Sequence, residues 1–151
     1  YEGAFGVSKA HGFGTFTEPS GSVYEGEWDQ GHKHGFGVYF HVDGTTYRGD
    51  WQRDAKSGEG EETWADGAVY KGEFLYGHKH GEGVYKASAD VHYEGQFRHD
   101  RMEGEGCYRF ADGRIYVGQW QCGHMAGRGR MEFPDGSRYE GAYDDDQQHG
   151  E

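Results

Sequence analysis

The sequence has little of what a disulfide scaffold, a membrane span or an ordinary core requires. Two cysteines, Cys107 and Cys122, in 151 residues exclude the bridge density of a small secreted scaffold and point to a reducing, cytoplasmic setting. No apolar run approaches the roughly 20 residues of a spanning helix, and no signal peptide is visible. Only 33% of residues are hydrophobic, and the mean hydropathy of -1.07 is too polar for a conventional globular core. Positive charge is scarce as well: 15 Lys and Arg face 27 Asp and Glu, for a formal net charge of -12. Phosphate backbones and anionic lipid surfaces repel such a chain. No nucleic-acid partner is therefore expected, and any membrane association is expected to be indirect.

Aromatics and glycine are abundant instead. Aromatic residues make up 17% of the chain, and 29 residues are Gly against two Pro. Disordered chains are poor in aromatics, and the glycines do not fall every third residue as in collagen. They fall on a repeat. Tyr1, Tyr24, Tyr47, Tyr70, Tyr93, Tyr116 and Tyr139 are each 23 residues apart. Counting that Tyr as offset 0, offset 2 is Gly in every unit (Gly3, Gly26, Gly49, Gly72, Gly95, Gly118, Gly141). Offset 4 is always aromatic: Phe5, Trp28, Trp51, Phe74, Phe97, Trp120, Tyr143. Offset 11 is Gly throughout, offset 13 is Gly wherever the unit reaches it, and Asp-Gly recurs at offsets 19 and 20.

Alternation with period two means strand. The Tyr, Gly and aromatic of offsets 0 to 4 share one face, as do the glycines at 11 and 13 with the aromatics that follow. Charged residues such as Glu25, Glu27, Arg48 and Asp50 take the other face. A connection of about six residues is expected at offsets 5 to 10, and the Asp-Gly dipeptides mark a hairpin on the return. Each unit thus predicts two antiparallel strands, with rings lying over residues that have no side chain. The predicted fold is all-β: an elongated, twisted, single-layer antiparallel sheet of tandem 23-residue hairpins, solenoid-like. Residues 1–151 form one array with units starting at 1, 24, 47, 70, 93, 116 and 139, the last incomplete. The chain begins with Tyr1, so a piece of a longer protein is expected.

The segment YEGEWDQGHKHGFG (24–37) and its 23-residue period resemble the MORN repeat (membrane occupation and recognition nexus), and the resemblance covers the whole chain. It implies a stack of β-hairpins with a groove. It is strongest to members that consist almost wholly of repeats, such as protozoan cytoskeletal scaffolds. That implies a cytoplasmic, cytoskeleton-associated, non-enzymatic scaffold with protein partners, possible roles in cell division included. Phosphoinositide or phospholipid binding, which the family name advertises, is one alternative, and a recognition module that binds an amphipathic helix in the aromatic groove is another.

Candidate sites follow from the same registers. A single-layer sheet leaves its aromatic face partly open, so Tyr24, Trp28, Tyr47, Trp51, Tyr70 and Phe74 are expected to line a groove. With its acidic rim, that groove suits a basic amphipathic helix. The incomplete last unit is a natural meeting place for two chains, which makes Trp120, Phe133, Tyr139 and Tyr143 the expected homodimer contact. Ten histidines raise the question of metal. The His-Gly junctions belong to the repeat, so a turn role explains most of them, and no cofactor is required. Zinc at an inter-chain contact would use Cys122 and His124. Lipid binding would fall to the local basic cluster Arg114, Arg128, Arg130 and Arg138. Gly-x-Gly opens a strand in every unit, so it is no phosphate loop. No nucleophile has a triad-like neighbourhood, and no catalytic residue is expected.

Overall fold

A computed structural model describes the backbone of residues 2–5 and 10–149 and the side chains of residues 12–147. The chain divides into two compact units, Tyr1–His78 and Lys79–Glu151. Among the described residues there are strands and turns but no helix, and hence no helix long and apolar enough to cross a membrane. The fold is all-β, an open antiparallel arrangement of hairpin repeats.

In the first unit the strands are β1 (Glu2–Phe5), β2 (Ala10–Thr17), β3 (Val23–Asp29), β4 (His32–Phe40), β5 (Thr46–Gln52), β6 (Ala55–Thr63) and β7 (Val69–Leu75). β8 (His78–Lys86) opens at the boundary. The second unit continues with β9 (His92–Arg98), β10 (Arg101–Arg109), β11 (Ile115–Gln121), β12 (His124–Glu132), β13 (Arg138–Asp144) and β14 (Gln147–His149). Within each unit, strands that are consecutive in sequence pair antiparallel.

The alternation at offsets 0 to 4 is as expected. In β3, Tyr24, Gly26 and Trp28 are buried, while Glu25, Glu27 and Asp29 are exposed. The glycines face each other across strands: Gly26 pairs with Gly37, Gly37 with Gly49, and Gly49 with Gly60. The Tyr ring lies over this glycine track. A Cβ added at Gly37 would collide with the Tyr24 ring, and one at Gly60 with the Tyr47 ring.

Each Tyr hydroxyl donates to the carbonyl three residues on: Tyr24 to Glu27 O at 2.9 Å, Tyr47 to Asp50 O at 2.8 Å, Tyr116 to Gln119 O at 2.9 Å. The indoles of Trp28, Trp51 and Trp120 donate to the carbonyls of Gly14, Gly37 and Gly106, each at 3.2 Å. Buried polar tips are thereby satisfied, as burial demands. Rings meet edge to face along the layer. Tyr24 lies 5.1 Å from Trp28 and 5.3 Å from Trp51, and Tyr47 lies 5.1 Å from both Trp51 and Phe74. The second unit repeats the pattern with Tyr93, Trp120, Tyr116 and Tyr143. Burial pushes the Tyr24 and Tyr47 hydroxyls well up and the Tyr116 hydroxyl up to about 12.

The turns differ from expectation. The six-residue connection is a two-residue turn at offsets 6 and 7, with the next strand starting at offset 8. Both turn residues have positive φ: 55° and 83° at Gln30 and Gly31, 49° and 71° at Arg53 and Asp54. That is the type I′ geometry, whose twist matches the flanking strands. The Asp-Gly end carries a wider turn. His41 N–H donates to Thr45 O and Gly44 N–H to His41 O, while the Asp43 carboxylate caps the Thr45 amide at 2.8 Å. Only the glycine is left-handed there, as in a type I turn closed by a bulge.

The offset-11 glycine also differs. The β3–β4 register slips between Gly26 and Trp28, and Gly35 takes φ 77°. A Cβ there would meet the Glu27 carboxylate, so this glycine borders the charged face rather than the aromatic one. The slip frees the Phe36 amide, which donates to Glu27 Oε2 at 3.0 Å. Gln96 and Gln119 serve Glu105 and Arg128 in the same way.

Candidate functional site

Most of the rings expected to line a groove are consumed by the layer itself. Tyr24, Tyr47 and Tyr70 are 0%, 1% and 0% exposed, and Trp28, Trp51 and Phe74 are also buried. A cleft of about 280 Å³ opens in the first unit, and its lining includes Glu18, Lys33, Tyr39, Trp51, Asp54 and Glu62. Of the predicted set, Trp51 and Tyr47 reach it. The remaining lining comes from offsets 9 and 15 and from the turns. Tyr39 donates to Glu18 Oε1 at 3.0 Å, and Lys56 pairs with Glu62 at 3.0 Å.

The offset-9 lysines enter the ring layer from the side. Lys33 Nζ lies 5.5 to 6.0 Å from the ring centroids of Tyr24, Trp28, Tyr39 and Trp51. Lys56 Nζ lies 5.2 Å from Tyr47 and 5.8 Å from Phe74. All six distances suit cation–π attraction. The recurrence of Lys33, Lys56 and Lys79 at one register is visible in sequence. Its meaning is not, until the two-residue turn places offset 9 on the ring face.

Of the predicted dimer contacts, Trp120 and Tyr143 are buried within their own chain, at 6% and 4% exposure. Phe133 and Tyr139 are half-buried. The predicted metal pair sits around a turn. Cys122 is exposed with φ 52°, and its amide donates to Glu103 Oε2 at 2.9 Å. His124 Nδ1 is engaged by Asp146 Oδ2 at 2.6 Å. Among the described residues no three His, Cys, Asp or Glu gather to hold a metal. The predicted arginines are spread over several local settings. Arg114 stacks on Phe110 at 4.3 Å and pairs with Asp112, and Arg130 pairs with Glu132 at 3.1 Å. Arg128 and Arg130 flank an open cleft that Glu140 shares, and Arg138 is exposed.

One arrangement escaped sequence reading. Asp54, at offset 7, accepts from His32 Nδ1 at 2.6 Å and from the Lys33 amide at 2.8 Å, and its own amide donates to Lys33 O at 3.0 Å. Asp146 makes the same three contacts with His124 and Met125. Burial alone would push the Asp54 carboxyl up, but the His32 and Lys33 hydrogen bonds outweigh it and hold it below the usual range. The Asp146 hydrogen bond and charge raise the His124 pKa. A raised histidine contributes stability fully present below its unfolded pKa, about 6.5, and lost as pH rises through the folded value. The substitution D146N is expected to bring the His124 midpoint down toward its ordinary value in an NMR titration. An unmoved midpoint would mean that the clasp does not form.

A sheet of tandem Tyr-Gly-aromatic hairpins defines a repeat module. The MORN repeat family matches residues 1–23, 24–46, 47–69, 70–88, 93–113, 116–138 and 139–151, and the chain belongs to that family. The family is a non-enzymatic repeat module whose members point to a scaffold that binds membranes or proteins. No curated protein matches the sequence. Among solved structures, a virginiamycin B lyase from Staphylococcus aureus aligns at 11% identity and TM-score 0.24, over 87% of this chain and 55% of that one. A catalytically inactive form of that lyase with Quinupristin aligns at 7% identity and TM-score 0.23, over 91% of this chain and 72% of that one. Similarity this low bears on neither fold nor function. The chain spans about half the length of the first of these lyases.

Proposed function

We propose that the chain is a non-enzymatic scaffold that holds basic, amphipathic protein segments against its aromatic face and pairs with a second copy through its C-terminal repeats. A cytoplasmic, cytoskeletal or membrane-linked structure is the setting this reading favours. The observation that carries it is the cleft beside Trp51, where ring surface meets the carboxylates of Glu18, Asp54 and Glu62. Apolar contact with a helix face and attraction for its lysines are available at one place.

A synthetic Leu/Lys amphipathic helix titrated into the protein is expected to quench tryptophan fluorescence, less so as salt is raised. E18Q with E62Q is expected to weaken binding about 30-fold, on the order of 1 kcal/mol for each of the two lost charge contacts. No binding at low salt would remove the groove reading. For the pairing, light scattering is expected to give twice 17.0 kDa. Y139E with F133E, the two half-buried rings, should give monomers. A monomeric wild type would remove the dimer and leave the groove untouched.

A further inference from the structure

The cleft contains a cation site that the chain fills with its own side chain. Four ring centroids surround Lys33 Nζ: Tyr24 at 5.5 Å, Trp51 at 5.7 Å, Tyr39 at 5.8 Å and Trp28 at 6.0 Å. The next unit shows what an ordinary structural lysine looks like at this register. There Glu62 replaces the ring found at Tyr39, and Lys56 takes it as an ion pair at 3.0 Å. At Lys33 the ring is kept, and its hydroxyl is turned to Glu18. The Lys33 ammonium therefore has rings about it; it feels the charge of Asp54 but, among the described residues, has no carboxylate in ion-pair contact.

We infer that the ring cage around Lys33 is a cation-recognition site, self-filled in the free protein, whose other occupant is the ammonium or guanidinium of a basic side chain on a partner segment. The inference rests on the groove reading above and names the group the groove selects. The cage is preorganised. Tyr24 is fully buried, its hydroxyl is tied to Glu27 O, and the Trp28 and Trp51 indoles are tied to glycine carbonyls. The occupant is the part that can leave, because a lysine stem can swing its head into water. Glu18, Asp54 and Glu62 line the cleft against Lys33 and Lys56, three negative charges against two positive, so the balance is -1. With the Lys33 head swung out, the balance at the cage falls to -2, and the site demands a cation. Self-occupation lowers the apparent affinity for any single incoming cation, because the open cage is only part of the population. A segment with several basic residues overcomes that competition, and an isolated cation does not.

Tetramethylammonium chloride, at ionic strength matched with sodium chloride, probes the cage alone, and NMR of the indole N–H signals reads occupancy. K33A is expected to bind tetramethylammonium about tenfold more tightly than the wild type, the gain a desolvated cation–π contact supplies. K33M refills the cage with a neutral chain and should show no gain. Methionine is accommodated at this register, since Met125 stands there buried. Equal affinity in the wild type and K33A, or an equal gain in K33M, overturns the inference. The Leu/Lys helix separates the two readings. If it fails to bind while K33A gains tetramethylammonium affinity, the groove reading falls and the cage stands. If it binds the wild type and K33A alike, with no gain for tetramethylammonium, the cage falls and the groove stands.

Discussion

Gly37→Ala is expected to destabilise the first compact unit by about 3 kcal/mol, at the upper end for a single added methyl group. The methyl would enter the Tyr24 ring at Oη, Cε1 and Cζ. That ring cannot retreat. It is fully buried, it is held at 2.9 Å to Glu27 O, and it is flanked edge-on by Trp28 and Trp51. On the partner strand, a Cβ at Gly26 would meet the Gly37 Cα and the Phe36 carbonyl, both backbone. The control is Gly67→Ala, where φ is 94° but nothing lies within 4 Å. Backbone strain alone costs about 1 kcal/mol or somewhat more there. Urea unfolding followed by tryptophan fluorescence measures both. A loss at Gly37 no larger than the strain cost at Gly67 would mean that the Tyr24 ring can yield and does not set the need for glycine.

The second large effect is at Tyr47. Tyr47→Ala is expected to cost about 3–5 kcal/mol, as for other large buried aromatics. The ring is 1% exposed and contacts Trp51 and Phe74 at 5.1 Å each. Its loss opens a gap above Gly60, which has no side chain to fill it. Tyr47→Phe keeps the ring and removes the 2.8 Å bond to Asp50 O, for about 1 kcal/mol. In a repeat array each unit leans on its neighbours, so the alanine variant should also loosen the hairpins on either side. Hydrogen exchange at Tyr24 and Tyr70 reads that spread. Protection unchanged at both would confine the damage to one hairpin and contradict nearest-neighbour coupling.

The strands and their buried face were legible because offsets 0 to 4 alternate without exception. A strand has only two faces, so seven agreeing registers leave one solution. The turns were less legible. Asp-Gly drew attention to one end of the hairpin, while the tighter turn uses Gln30-Gly31, Arg53-Asp54 and Cys122-Gly123. Nothing in the pair Arg53-Asp54 advertises two left-handed residues. What holds them is Asp54 reaching back to His32 and Lys33, a contact between successive repeats. The offset-11 glycine was misplaced for a related reason: a bulge shifts the alternation, and period two cannot show where it slips. The cage around Lys33 follows from both errors. Offsets 8 to 10 read as part of a connection, whereas the short turn puts Lys33 in β4, across from Trp28.

The residues of the turn clasp alternate along the sequence. Offset 7 reads Gly31, Asp54, Gly77, Asp100, Gly123, Asp146, and offset 8 reads His32, Ala55, His78, Arg101, His124, Gln147. Histidine donors and aspartate acceptors thus occupy opposite classes of unit. The near-identity of 24–37 and 70–83 is the trace of that two-stroke rhythm. Gaining one 23-residue block would set two donors or two acceptors side by side, whereas gaining 46 would keep every clasp in phase.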